Sequence, residues 1–209
     1  MTFMNRGFKI NDEHFKYLSV QRGEVSDFAD DRQQWEQAYT TNIGAVYDSI
    51  KEFLPTASVV DILDIGSGLG GIDTLLYRHY NSNAFITLVD GLMDAPEVIL
   101  RAKTHNNMRV AADFQIKNDV SVDNLTAMSP DGFHQLDRQF NLIVSFAAYA
   151  FHIHPDVYIE DIKRCSKPGT VIILDVRRGN DYLEILTKEL GIPKLIMLRN
   201  KFQRLMWSM

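Results

Sequence analysis

From Asn42 onward the apolar residues Ile43, Val46, Tyr47, Ile50, Phe53 and Leu54 recur with the spacing of one helix face, and Pro55 ends the run. A helix with such a stripe covers a sheet, and the chain then supplies one. Mostly apolar runs at 59–65, 85–90, 140–146 and 170–176 read as strands, with a shorter third strand at 114–117. Between them the periodicity predicts helices at 71–80, 96–104, 155–165 and 182–190. Alternation of this kind implies right-handed crossovers, a parallel sheet with helices on both faces, and ligands at the strands' carboxyl ends. The alternation stops at the end of the chain. Two strand-like runs, 194–198 and 202–208, are joined only by Arg199-Asn200-Lys201, which predicts an antiparallel hairpin. The expected fold class is therefore α/β, a doubly wound seven-stranded sheet, mostly parallel with a C-terminal antiparallel hairpin.

The remaining segments are less regular. The first 27 or so residues have no clear period and 27–34 is largely polar, so the amino end reads as an arm or a partly helical lid. Its apolar residues, Phe28 and Trp35 among them, fit either a lid or a homodimer contact. The organisation expected is a single domain, with 1–54 as arm and helix packed on a core of 55–209. A long loop is expected between Asp119 and Gln139, with a turn at Ser129-Pro130-Asp131-Gly132.

At 209 residues, with 45% hydrophobic and 23% charged residues, the chain can bury a sizeable core, and its composition is that of an ordinary globular protein. No uninterrupted apolar stretch approaches the roughly 18 residues of a membrane span, so no membrane partner and a cytoplasmic location are expected. The single cysteine, Cys165, has no internal disulfide partner and no Cys/His zinc spacing around it. A net charge of −5 disfavours a broad phosphate-binding face, which makes nucleic acid an unlikely partner.

The most specific chemistry lies at Asp64-Ile-Gly-Ser-Gly-Leu-Gly-Gly71, between the first strand and the following helix. Glycines let the backbone turn through positive φ and approach a ligand with no Cβ in the way, and the helix N-terminus behind them offers unpaired N–H groups. Gly66, Gly68 and Gly71 satisfy G-x-G-x-x-G, the dinucleotide pattern, while Asp64, Gly66, Gly68 and Gly70 satisfy D-x-G-x-G-x-G. Asp90, closing the second strand about 20 residues later, presents two acceptor oxygens to a ribose diol under either pattern.

The second pattern resembles motif I of class I S-adenosyl-L-methionine (SAM) methyltransferases, and from Val59 onward the motif order is similar to that family. The resemblance implies a Rossmann-like fold and SAM as cofactor; the terminal hairpin also resembles the family's last two strands. It places Asp64, Gly66, Ser67, Gly68 and Gly70 around the methionine moiety and Asp90 and Gly91 at the ribose. It puts Asp119 and Val120 at the adenine, since an acid follows the family's third strand, and adds Ser145 from the fourth strand. The stretch from Phe140 to Pro155 and the later Pro168-Gly169 turn look like the family's fourth strand, active-site loop and fifth strand; Asn141 stands where many relatives have aspartate.

SAM's sulfonium is a good leaving group, so the protein must align the acceptor and, for a hydroxyl, accept its proton. His152 is the first candidate base, with His154 and Tyr149 after it; Asp175 and Arg177-Arg178 are candidates for binding substrate oxygens or for pairing with one another. Ser145-Phe-Ala-Ala-Tyr149 lacks the Pro-Pro-aromatic motif of amino-methylating DNA enzymes, Cys165 lacks the Pro-Cys context of cytosine C5 enzymes, and no strand-end aspartate offers itself to a divalent cation. No metal is expected. The expected activity is methyl transfer to a hydroxyl of a small-molecule acceptor, with sugars among the candidate acceptors. The competing readings are an NAD-dependent oxidoreductase, a catalytically inactive SAM-binding partner, and an RNA or DNA methyltransferase.

Overall fold

A computed structural model of the protein describes residues 7–15, 32–91 and 107–209. Helix α1 (Arg32–Ile50) and a 3-10 turn (Lys51–Phe53) precede strand β1 (Val60–Ile65), helix α2 (Gly71–His79) and strand β2 (Ala84–Val89). Helix α3 (Met108–Lys117), strand β3 (Leu125–Met128), the short helix α4 (Pro130–His134) and strand β4 (Phe140–Ser145) follow. The chain ends with helix α5 (Ile159–Cys165), strand β5 (Ser166–Arg177), helix α6 (Tyr182–Leu190) and the hairpin β6 (Lys194–Leu198) and β7 (Phe202–Ser208).

The seven strands form one sheet in the order β3-β2-β1-β4-β5-β7-β6. The pairs β1–β2, β1–β4, β2–β3 and β4–β5 are parallel, whereas β7 is antiparallel to both β5 and β6. Strand order reverses beside β1, so the crevice between the carboxyl ends of β1 and β4 is the topological switch point. Alternate residues of each strand enter two apolar layers. Val60 and Ile62 pack with α1, α2 and α3 residues such as Tyr39, Leu76 and Phe114, while Leu63 and Ile65 pack with Phe133, Ile162 and Leu186 on the opposite face. Asn141, at the start of β4, accepts the Asp61 N–H through Oδ1 at 3.0 Å and ties the amino ends of the two central strands.

Three sequence expectations are corrected. Residues 114–117 belong to helix α3 and the third strand is Leu125–Met128. Asn107 caps α3 by accepting the N–H groups of Arg109 and Val110, and Val110, Ala111 and Phe114 are buried at helical spacing; a four-residue window is too short to separate the two periods. The span 119–139 is not a loop, because it holds β3 and α4, with Pro130 seated in the first turn of α4, where its missing N–H costs nothing. Helix α1 begins ten residues before Asn42, burying Trp35 and Tyr39. The helix expected at 96–104 lies outside the described residues.

The described part of the amino-terminal segment is fastened to α3. Phe8 packs on Tyr39 and Phe114 with ring centroids 5.4 and 5.5 Å away. The Lys9 N–H donates to Asn118 Oδ1 at 2.8 Å and the Asn118 amide returns a bond to Lys9 O at 3.1 Å. His14 is fully buried with Nε2 2.8 Å from Asp113 Oδ2. Among the described residues no helix is long and apolar enough to cross a membrane.

Candidate cofactor and acceptor site

The glycine turn sits where β1 ends and α2 begins. Gly66 has φ 77° and Gly70 has φ 74°, both in the left-handed region that residues with a Cβ avoid. Space is also closed at both positions: a Cβ on Gly66 would run into Ala148 of the loop after β4, and one on Gly70 would lie 2.5 Å from Gln115 Nε2. The turn is thus clasped between two other parts of the chain. At its tip, the Gly68 N–H donates to Asp90 Oδ2 at 2.8 Å, and Asp90 Oδ1 accepts the Gly91 N–H at 2.7 Å. Asp90 therefore stands beside the glycines, as its spacing implied.

Beneath the turn lies a polar network that the sequence reading missed. Gln115 of α3 is fully buried and donates through Nε2 to Leu69 O (2.8 Å) and Gly70 O (2.6 Å), while its Oε1 accepts the Thr74 hydroxyl at 3.1 Å. Reading 114–117 as a helix would have exposed the signal, a glutamine beside Phe114 on an apolar face. Asp64 and Asp73 are buried here too, facing each other across β1 and α2. Burial first, then the neighbouring Asp73 charge, raises the Asp64 carboxyl well above its ordinary range, and burial pushes Asp73 up to about 7. Asp64 Oδ1, both Asp73 oxygens and Ser67 Oγ are buried with no hydrogen-bond partner outside the acid pair, joined only by Thr87 Oγ1 among the described residues. The two carboxyls share a proton with each other, and together with the Ser67 hydroxyl they gather oxygens under one loop, where a donor-rich ligand finds acceptors.

The loop between β4 and α5 forms the other wall. Ala147 and Ala150 hold φ 55° and 57°, a backbone strain that structures retain where a loop must keep one shape. Ser145 Oγ donates to Ile65 O at 2.6 Å and accepts the Tyr149 N–H at 2.9 Å, binding the ends of β1 and β4. Tyr149 is fully buried, its hydroxyl donates to Pro155 O at 2.7 Å, and burial raises its pKa. Both hydroxyls are thus committed inside the protein: Ser145 and Tyr149 shape the loop instead of presenting a donor to a cofactor or a proton to an acceptor. His154 accepts the Asp156 N–H at 3.3 Å and its ring stands 5.0 Å from Tyr182, the position of a cap on the 3-10 turn Pro155–Val157. His152 is exposed, packs edge-on to Phe151 at 4.6 Å, and has its pKa lowered by burial and by the Arg177 charge.

Asp175 pairs not with Arg177 or Arg178 but with Arg204 of β7, in a bidentate ion pair of 2.7 and 2.9 Å buried on both sides. Arg204 also donates to Ser49 Oγ at 2.5 Å and lies 4.6 Å from the Phe146 ring centre, so α1, β5, β7 and the start of the active-edge loop meet at one guanidinium.

Asp119 and Val120 are corrected. They follow helix α3, at the amino end of the sheet, where Asp119 pairs with Lys9 at 2.9 Å and Val120 is buried. The misread strand reversed the direction in which the chain leaves the sheet. The segment that does follow the third strand is 129–131. Burial, then the charges of Asp90, Asp161 and Asp131, raise the pKa of the Tyr158 phenol. The structure thus gathers Asp64, Gly66, Ser67, Gly68, Gly70, Asp90 and Gly91 at one site and leaves Asp119 and Val120 outside it.

No protein-family model matches the chain, and no curated protein sequence does. Solved structures share its fold. A candidate O-methyltransferase of Nostoc punctiforme is 14% identical with TM-score 0.58, over 94% of this chain and 68% of its own. A precorrin-6y methyltransferase of Geobacter metallireducens is 12% identical with TM-score 0.55, over 80% of this chain and 87% of its own. A 16S rRNA methyltransferase of T. thermophilus, solved with AdoMet and guanosine, is 16% identical with TM-score 0.53; the match covers 78% of this chain but only 42% of that one. The architecture is the Rossmann-like fold of these methyltransferases.

Proposed function

We propose that the protein is a SAM-dependent methyltransferase that transfers a methyl group to a hydroxyl of a small molecule. The observation that carries this reading is the set of buried oxygens of Asp64 and Ser67 under a glycine turn that Asp90 flanks and the β4 loop abuts. Those residues fit SAM: the acids suit its ammonium group and ribose diol, and the glycines admit it closely, while the N–H groups of Gly66, Ser67, Gly68 and Gly70 donate within the protein and hold the turn in shape. In the resemblance the adenine's acid follows the third strand, a position that falls to Asp131 in place of Asp119. When bound, SAM supplies an activated methyl group on sulfur.

The chain's own residues then have two tasks. The loop of 146–154 holds the acceptor side, tethered by Ser145, by the Tyr149 hydroxyl, and by the Arg177 N–H donating to Ala150 O at 2.9 Å. His152 takes the hydroxyl proton, because partial burial and the Arg177 charge keep its imidazole neutral at physiological pH, with an acceptor nitrogen free of the capping role that holds His154. Calorimetric titration with SAM, S-adenosylhomocysteine (SAH) and NAD tests the reading, with Asp90→Ala as control. Binding of both adenosyl ligands that the substitution abolishes, and none of NAD, is the expected result; binding of NAD alone would overturn it.

A further inference from the structure

We infer that the acceptor carries an oxyanion, a phosphate or a carboxylate, received by Arg177 at a cationic rim beside His152. This rests on the methyl-transfer reading for its meaning, but the anion site itself can be tested alone.

Two turns meet at the carboxyl edge of the sheet, next to the loop that bears His152. One follows β5 and carries Arg177 and Arg178; the other joins β6 to β7 and carries Arg199 and Lys201. They are stitched together by the Arg178 N–H donating to Lys201 O at 3.0 Å and the Arg178 guanidinium donating to Arg199 O at 3.0 Å. All four cations are exposed, and none makes an ion pair with an acidic side chain among the described residues. Several other cations of this acidic chain face carboxylates, Lys9 with Asp119, Lys51 with Asp48, Lys117 with Asp113, Arg164 with Asp161 and Arg204 with Asp175, while Lys167, Lys188 and Lys194 make no ion pair among the described residues. Four cations without an ion pair thus share one corner, on the side where the fold presents its acceptor.

Arg177 is the member prepared to read a ligand. Its guanidinium lies 5.4 Å from the Phe151 ring centre, donates to Phe151 O at 3.4 Å, and belongs to an exposed residue with further donors to offer. Phe202 closes the corner, its ring centre 6.0 Å from that of Phe151. A planar guanidinium on an aromatic floor matches the paired oxygens of a phosphate or carboxylate, and the three neighbouring cations deepen the local field. An anion held there would bring the rest of a small acceptor past His152. The same field disfavours cationic amine acceptors and agrees with a hydroxyl as the methylated group.

The test is a titration of isotope-labelled protein with inorganic phosphate and, separately, sodium acetate at constant ionic strength, followed by amide and histidine ring shifts with and without saturating SAH. The expected result is saturable shifts confined to 150–153, 177–179 and 199–202 for at least one anion, unaltered in affinity by SAH. Affinity should fall at least tenfold in Arg177→Gln, by less in Arg199→Gln with Lys201→Gln, and not at all in Lys188→Gln; preference for phosphate or acetate tells which oxyanion is read. Shifts scattered over the surface, an unchanged affinity in Arg177→Gln, or displacement of the anion by SAH would overturn the inference. Failure of SAH to bind would count against the methyl-transfer reading instead, with the anion arm decided by its own localisation.

Discussion

Replacing Asp73 with asparagine should stabilise the unliganded protein by an amount that grows as pH rises above about 4 and is complete above about 7. Asp73 is fully buried at the first turn of α2, its carboxyl set against that of Asp64, and burial pushes it from the ordinary 3.8 to about 7. The folded protein therefore binds a proton more tightly than the unfolded chain, so stability falls as pH rises from about 4 and the full penalty is in place above about 7. A difference of that size corresponds to roughly 4 kcal/mol at about 1.4 kcal/mol per pH unit. Asparagine keeps the shape, cannot ionise, and can donate an N–H toward Asp64 Oδ1; an imperfect amide geometry leaves a net gain of about 2–4 kcal/mol at pH 8. Urea unfolding of wild type and Asp73→Asn at pH 4 and pH 8 measures it, the midpoints separating at pH 8 and converging at pH 4. An equal difference at both pH values, or a loss of stability at pH 8, would refute the reasoning. Under the proposed function the variant also binds SAM more weakly, because a buried carboxylate retained at a cost in the empty protein complements a cationic ligand; stability and cofactor affinity should move in opposite directions.

Gln115→Ala leaves two loop carbonyls and the Thr74 hydroxyl without their partner, and is expected to weaken SAH binding about tenfold in a protein that still folds; Gln115→Leu restoring packing but not affinity separates loop positioning from core volume. Arg204→Met strands Asp175 as an unpaired buried carboxylate and should cost about 3–5 kcal/mol by denaturant unfolding, whereas joint replacement of Asp175 and Arg204 by apolar residues recovers most of the loss. His152→Gln should leave SAH affinity unchanged and slow methyl transfer to a hydroxyl acceptor by about 10²–10⁴, with His154→Gln much milder. In the wild type that transfer rises with pH through the His152 value, held below the usual 6.5 by burial and Arg177, and is level by neutral pH; a continued rise above pH 8 would point to a different base.

The central strands, the glycine turn and Asp90 were legible because each carries its own local mark: a run of apolar residues, a glycine pattern, an acid at a fixed interval. The third strand was not. Its four residues, Leu-Thr-Ala-Met, are too few to show a period, and the preceding capped helix supplied an apolar run that passed for the strand. That single error put the expected adenine acid at Asp119, on the amino-end edge of the sheet. Tyr149 and Ser145 failed as chemical groups for a different reason: a loop hydroxyl looks the same in sequence whether it faces a ligand or, as here, Pro155 O and Ile65 O.

The linear chain by itself determined the class of fold and the position of the glycine turn, because alternating periods and a glycine-rich turn are local properties that need no partner to be recognised. Only the tertiary structure decided which side chains are free to act. Gln115 reaches the glycine turn across 45 residues, Arg204 takes Asp175 away from Arg177 across 29, and Asp64 and Asp73 become a buried acidic pair only when β1 and α2 pack together. Hydrogen bonds and ion pairs of that range depend on the distances the whole fold creates, and no window of sequence contains them.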